Sequence, residues 1–144
     1  MTAALYVIGA VPFIILGGLH GLYTVIDEFA PRRLAPKDTS LIEALRMAPL
    51  GITQETNMWR AWIGFNLSHS LGAVAFGLLY AYLAIAHAEF LMTAGPLLWA
   101  APLIGAMYIY LAWRYWFSVP LIGVCAGTAS FIAGALTANS TISP

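Results

Sequence analysis

The chain has 144 residues, of which 61% are hydrophobic and 8% charged, with a mean hydropathy of +0.83 and no formal net charge. This composition excludes a water-soluble globule, because such domains carry roughly 25% charged residues. It also argues against nucleic acid as a partner, since phosphate binding needs a concentrated basic surface. The single cysteine, Cys125, excludes an internal disulfide bond.

Four apolar stretches are each long enough to cross about 30 Å of hydrocarbon as an α-helix. The predicted membrane helices cover residues 4–26, 54–86, 92–113 and 118–138. The predicted fold class is therefore all-α, with a bundle of four transmembrane helices in a single integral membrane domain over residues 1–144. The first stretch exceeds the length of about 7–15 residues typical of a signal-peptide core, so it is predicted to remain as a membrane anchor.

The connection between the first two helices, residues 27–53, is long and polar. Within it, Ser40 and Glu43 form a capping-box pattern, and Leu41, Ile42 and Leu45 give one apolar side. This pattern predicts a short amphipathic helix at the cytoplasmic membrane surface. Thr53 is the predicted N-cap of the second membrane helix.

Every lysine and arginine falls on one side of this topology. They are Arg32, Arg33, Lys37, Arg46 and Arg60, in or beside the first connection, and Arg114 in the third. The positive-inside rule makes that side cytoplasmic and puts both termini on the opposite side of the membrane. The aromatic residues Trp59, Trp62, Trp99, Trp113, Tyr115 and Trp116 are predicted to lie in the interfacial belts.

Small residues at helical spacing predict where the helices approach each other closely. The predicted contact sets are Gly17 and Gly21; Gly64, Ser68 and Gly72; Gly123 and Gly127; and Ala126, Ser130 and Gly134. A further stripe, formed by Ala73, Gly77 and Ala81, is predicted to contact another copy of the chain in a homo-oligomer.

Two histidines are predicted to lie at similar depth inside the membrane. At the helical rise, His20 lies about 10 Å and His69 about 13 Å from the same cytoplasmic edge. Consecutive antiparallel helices are usually neighbours, so the two imidazoles are expected to approach each other. An imidazole that faced lipid would leave its N–H unsatisfied, so both rings are predicted to point into the bundle.

We therefore predict a polar cavity, open to the cytoplasm, that binds a small molecule, a lipid headgroup or a cofactor. The predicted ligand-binding residues are His20, Thr24, Asp27, Glu28, Arg60, Asn66, His69 and Ser70. No residue is predicted to be catalytic, because the chain has no Ser-His-Asp order, HExxH, CxxC or glycine-rich phosphate loop. Whether the protein is an enzyme is left open.

Three other interpretations of the same residues remain. His20 and His69 could be the axial ligands of one haem b or could hold a metal. The polar side chains could merely hydrogen-bond across helices and hold them together. The chain could also be an accessory or structural subunit that packs against a larger membrane complex in the lipid bilayer.

Two segments of the chain resemble known proteins. They are TNMWRAWIGFNLSHSLGAVAFGLLYAYL, residues 56–83, and WRYWFSVPLIG, residues 113–123. They resemble a family of small four-helix bacterial membrane proteins, in which GFNLSHSLG is the specific part. This resemblance implies a four-span fold and a bacterial inner-membrane location, and it implies no particular activity.

The same region is more loosely similar to the MAPEG superfamily of eicosanoid and glutathione metabolism proteins. Those are small four-helix membrane proteins, often trimers, whose second helix bears an Asn and a Glu three residues apart. Here Asn66 and His69 have that spacing, but His69 replaces the Glu, and Trp62 or Ile63 replaces an arginine that helps hold glutathione. The similarity implies a four-helix fold and, as an alternative function, a glutathione-dependent enzyme.

Overall fold

The computed structural model describes residues 1–142, which are mostly helical and include one small hairpin. The elements are α1 Thr2–Phe29, α2 Thr39–Met47, β1 Pro49–Leu50, β2 Thr53–Asn57, α3 Met58–Ala86, α4 Ala88–Thr93, α5 Gly95–Tyr115 and α6 Ser118–Ile142. Within this range, α1, α3, α5 and α6 are long and apolar enough to cross a membrane. The predicted all-α class with four transmembrane helices is confirmed, and the chain is a multi-pass membrane protein.

The chain forms two compact units. The first, which we call the aromatic unit, consists of Met1–Leu16 and the chain from Ala73 onward. The second, the connection unit, is Gly17–Gly72. His20, His69 and the whole first connection belong to the connection unit.

Aromatic rings fill the core of the aromatic unit. Tyr6, Phe13 and Phe131 are at most 1% exposed. The ring centre of Phe131 lies 5.3 Å from that of Tyr6 and 5.9 Å from that of Phe13. Because lipid is as apolar as these side chains, such close packing, rather than the exclusion of water, is what holds the helices together.

Glycines on α6 allow its backbone to approach α1. A Cβ atom at Gly127 would lie 2.7 Å from the carbonyl oxygen of Gly9, and one at Gly134 would lie 2.8 Å from the ring of Tyr6. Both distances are shorter than side chains tolerate. The prediction that small residues on the fourth membrane helix form a helix contact is confirmed at these positions.

The stripe of Ala73, Gly77 and Ala81 is used inside the chain, so its predicted role in a homo-oligomer contact is wrong. A Cβ atom at Gly77 would lie 2.6 Å from Ile14 Cγ1 and 2.9 Å from the carbonyl oxygen of Ala10. Ala73 is 6% exposed, and Ala81 packs against the core. The α1 backbone therefore occupies the surface that this stripe provides.

Proline in α5 explains a hydrogen bond made by a buried tyrosine. Pro102 has no N–H, so it cannot donate to the carbonyl oxygen of Leu98, four residues earlier. The hydroxyl of Tyr6 donates to that carbonyl oxygen instead. Leu98 is 1% exposed, so without Tyr6 its carbonyl group would be buried and unsatisfied.

In the connection unit, α2 confirms the predicted short amphipathic helix, whose buried residue is Ile42. Its N-terminus differs from the prediction, because Asp38 is the N-cap rather than Ser40. The Asp38 carboxylate accepts hydrogen bonds from the backbone N–H of Ser40 at 2.9 Å and from the Ser40 hydroxyl at 2.7 Å. These hydrogen bonds stabilise the charged form and lower the pKa of Asp38 below its ordinary value of 3.8.

The second membrane helix begins later than residue 54. Thr53, its predicted N-cap, belongs to β2, which pairs antiparallel with β1. Asn57 takes over the capping role, because its side-chain oxygen accepts the backbone N–H of Arg60 at 2.9 Å. A two-stranded hairpin therefore occupies the residues that the predicted N-cap at Thr53 had assigned to the start of this helix.

Trp59 is a core residue of the connection unit, so its predicted place in an interfacial belt is wrong. It is 5% exposed and packs with Ile42 and Ile63. Its ring stacks on that of Trp62, with 5.3 Å between centres, and Arg46 lies over its face. The tryptophan pair thus attaches α2 to the start of α3.

The edge of α3 predicted to contact another helix of the chain is exposed. Gly64, Ser68 and Gly72 all lie at the surface of the connection unit. A Cβ atom at Gly64 would meet no atom within 4 Å among the described residues. The contact with α1 uses the neighbouring face of α3, where Ser70 is 5% exposed.

Candidate functional site

His20 of α1 and His69 of α3 lie side by side. Their ring centres are 5.6 Å apart and their planes cross at 79°, an edge-to-face arrangement. Both side chains are half-buried. The expectation that the two imidazoles approach each other is confirmed.

Asn66 determines which nitrogen of His20 carries the proton. The Asn66 amide nitrogen donates to the carbonyl oxygen of Trp62 at 2.8 Å, and its side-chain oxygen lies 2.8 Å from His20 Nε2. Because that oxygen can only accept, His20 Nε2 must be the donor. A neutral His20 therefore has its lone pair on Nδ1, and no hydrogen bond to Nδ1 is found within residues 1–140.

The two hydroxyl groups of the predicted set are close to the histidines but already donate within their own helices. Thr24 donates to the carbonyl oxygen of His20, and Ser70 to that of Asn66, both at 2.8 Å. Thr24 is fully buried and Ser70 is 5% exposed. Their oxygens can still accept a hydrogen bond, but their protons are committed to the backbone.

Glycine explains why α1 and α3 meet at this depth. A Cβ atom at Gly21 would lie 3.2 Å from Ser70 Cβ and 3.5 Å from its hydroxyl oxygen. The helices are thus in van der Waals contact one residue away from each histidine. A flat macrocycle between the two rings would require the helices to separate at this contact.

Asp27 was expected to line the cavity, and this is wrong. Its side chain is fully buried and accepts four backbone N–H groups of the connection. Oδ1 accepts from Arg32 at 2.9 Å and Arg33 at 2.8 Å, and Oδ2 accepts from Leu34 at 2.6 Å and Ala35 at 2.8 Å. A carboxylate has about four acceptor positions, so Asp27 has no capacity left for a ligand.

Glu28 and Arg60 were also expected at the site, and both side chains are exposed. No hydrogen bond of the Arg60 side chain is found within residues 1–140, and its backbone N–H donates to the side-chain oxygen of Asn57. Neither side chain hydrogen-bonds to His20 within residues 1–140. Of the eight predicted residues, the structure brings together His20, Thr24, Asn66, His69 and Ser70.

Sequence reasoning missed the structural role of Asp27. A signal was present, because Pro31 favours the end of the helix shortly after Asp27, and the N–H groups of the residues that follow then need partners outside a helix. An aspartate at the end of a helix is also unfavourable next to the helix dipole, which suggests that its partner lies beyond the helix.

No family model, no curated protein and no solved structure matches this chain. In the absence of a match, the class of protein is described by its geometry. It is a multi-pass helical membrane protein in which two membrane helices carry a pair of imidazoles in contact. Within the described residues, no three His, Cys, Asp or Glu side chains form a metal-binding group.

Proposed function

We propose that this protein binds a small polar ligand, such as a lipid headgroup or a small molecule, within the membrane at His20, Asn66 and His69. One observation carries the proposal. His20 Nδ1 is a hydrogen-bond acceptor in the membrane-spanning part of α1, has no hydrogen bond within residues 1–140 and lies beside a second imidazole.

The free-energy cost of a polar group in hydrocarbon supports the proposal that the site binds a ligand. A polar group without a partner costs several kcal/mol there, on the order of 2–7. If the cluster served only to join two helices, the hydrogen bond between His20 and Asn66 would suffice for that purpose. The lone pair on His20 Nδ1, which has no hydrogen bond within residues 1–140, adds a polar group that this role does not require.

We further propose that the site is reached from the cytoplasmic side of a bacterial inner membrane. Five of the six basic residues lie in the connection unit or at the start of α3, on the side where α1 ends. The short connection between α3 and α5 contains no lysine or arginine. This asymmetry is the one that orients membrane proteins.

Mass spectrometry of co-purifying molecules tests the ligand proposal. The full chain is purified in a mild detergent, with a tag other than polyhistidine, as wild type, His20→Ala, His69→Ala and His87→Ala. His87 is the matched control, because it is exposed and its partner is Tyr82. We expect a retained molecule that falls about tenfold or more in the first two variants only. Identical retained molecules in all four proteins would refute the proposal.

The same preparations separate the other ligand classes. A Soret absorption band that disappears in His20→Ala and His69→Ala would identify the ligand as haem, which requires α1 and α3 to move apart. A rise in melting temperature with millimolar glutathione would support the thiol-dependent enzyme, because a bound ligand stabilises the folded state.

A second candidate function, as a subunit that packs on another membrane protein or on a copy of itself, is favoured by the exposed edge of Gly64, Ser68 and Gly72. Small residues on an exposed membrane helix suit close contact with another helix. Gly64→Leu should then lower the oligomeric mass or the yield of a co-purifying protein in gentle detergent. Gly18→Leu is the control, because Gly18 is also exposed and meets no atom.

A further inference from the structure

We infer that the ligand of this site is a transition-metal ion, bound by Nδ1 of His20 and by one ring nitrogen of His69, with Asn66 positioning His20. This inference rests on the proposed function, since it names the chemical class of the ligand. It assigns a coordination role to one atom of the structure, His20 Nδ1, and a positioning role to Asn66.

The separation of the two rings fits a shared metal ion. A metal bonded to an imidazole nitrogen at about 2.0–2.1 Å lies roughly 3.2 Å from the ring centre. Two ring centres that are 5.6 Å apart then subtend an angle of about 120° at the metal. That angle is the trigonal one, so the separation of the two ring centres is compatible with one shared ion.

The hydrogen bond to Asn66 gives independent support. Histidines that bind metals almost always donate their other ring N–H to an oxygen atom, which orients the ring and selects the tautomer. His20 Nε2 donates in this way to the side-chain oxygen of Asn66 at 2.8 Å. Asn66 is itself held by its amide nitrogen, which donates to the carbonyl oxygen of Trp62. The lone pair on His20 Nδ1 is thereby reserved for a ligand.

The donor set indicates the class of metal. Neutral imidazoles suit Zn²⁺, Cu²⁺, Ni²⁺ and Co²⁺, whereas Mg²⁺ and Ca²⁺ prefer carboxylate and carbonyl oxygens. The nearest carboxylate on α1 is Asp27, whose oxygens are both occupied by backbone N–H groups. With two histidine ligands, the ion keeps coordination positions for water or for a small anion, and an anion would offset its charge in the membrane.

Cobalt provides the direct test, because Co²⁺ occupies zinc-type sites and absorbs visible light when its coordination number is low. Metal-free full-length protein, purified with a tag other than polyhistidine, is titrated with Co²⁺ in detergent. We expect a saturable visible absorption at one ion per chain. His20→Ala and His69→Ala should abolish it, and His87→Ala should leave it unchanged.

Asn66→Leu distinguishes a positioning residue from a residue that only stabilises the fold. It keeps both imidazoles, so we expect the absorption band to persist while the affinity for Co²⁺ falls about 10- to 100-fold. Nitrogen-15 NMR of labelled histidine should also show His20 protonated on Nε2 in the metal-free wild type and on a mixture of both nitrogens in Asn66→Leu. Melting temperatures of the metal-free variants verify that each protein is folded.

Three results would overturn the metal inference: no saturable absorption, absorption that survives both His20→Ala and His69→Ala, or His20 protonated on Nδ1 in the wild type. Failure here remains distinguishable from failure of the proposed function. If Co²⁺ does not bind but an organic molecule or a lipid is retained in a His20-dependent manner, the site binds a ligand that is not a metal. If neither is found, both proposals are wrong.

Discussion

At the scale of single residues, the site shows how backbone demands compete with ligand binding for the same polar side chains. The sequence predicts a ligand-binding role for Asp27, Thr24 and Ser70. Asp27 is occupied by four N–H groups, and the two hydroxyls donate to carbonyl oxygens one turn back. A hydroxyl without water bonds to the carbonyl oxygen one turn back, and N–H groups beyond a helix end bond to a nearby carboxylate, so both needs are met before any ligand is bound.

Replacing Asp27 with asparagine should destabilise the connection that follows α1. An amide has one acceptor oxygen, so two of the four N–H groups would face an NH₂ group instead of an oxygen. Losing two hydrogen bonds to a charged group should cost on the order of 3 kcal/mol. Hydrogen exchange of the N–H groups of residues 32–35 should accelerate strongly. Glu28→Gln is the control, because Glu28 is exposed, and equal protection in both variants would contradict this role.

Gly127→Ala should destabilise the aromatic unit. The new methyl group would lie 2.7 Å from the carbonyl oxygen of Gly9, a backbone atom that cannot move unless α1 moves. We expect a loss of about 1–3 kcal/mol in the free energy of unfolding, measured by denaturation in mixed micelles. Gly18→Ala, where the methyl group meets no atom within 4 Å, should be neutral or slightly stabilising. A neutral Gly127→Ala would refute the close contact between α1 and α6.

At the scale of secondary-structure elements, helix interiors were predictable and their ends were not. The four long helices and α2 follow from apolar length and periodicity, which are properties of adjacent residues. The start of α3 depends instead on the pairing of Thr53–Asn57 with β1, and α4 was not anticipated at all. A strand pair of this kind forms only when the turn brings both segments together, which hydropathy does not report.

The proline in α5 gives a prediction at this scale. Tyr6→Phe should cost about 1–3 kcal/mol, because it leaves the carbonyl group of Leu98 buried without a donor. In a Pro102→Ala background the same change should cost much less, because residue 102 then donates to that carbonyl oxygen. A double-mutant cycle on unfolding measures the coupling, and additive effects would contradict the account.

Tyr80→Phe is the matched control for this cycle. The Tyr80 hydroxyl donates to the carbonyl oxygen of Leu97 at 3.0 Å. Four residues after Leu97 stands Ala101, whose N–H can donate to the same oxygen within the helix. Tyr80→Phe should therefore cost less, about 0.5–1.5 kcal/mol, and its cost should not depend on residue 102.

At the scale of the whole molecule, the uneven distribution of basic residues gives a prediction about orientation. Lys37 and Ser140, both exposed, should lie on opposite sides of the membrane. In a Cys125→Ser background, single cysteines at these positions can be labelled with a maleimide that does not cross membranes. We expect Lys37→Cys to react in inside-out vesicles and Ser140→Cys in right-side-out vesicles. The reverse pattern would put the connection outside the cytoplasm.

The sequence by itself determined the membrane class, the number of spans, the amphipathic α2 and the similar depth of His20 and His69. These follow from apolar length, helical periodicity and the rise per residue, which depend only on local order along the chain. Only the tertiary structure decided which small residues face inward, that Asp27 serves the backbone and that Asn66 selects the tautomer of His20. Each of these depends on the rotation of one helix against another, which the packing of distant residues sets.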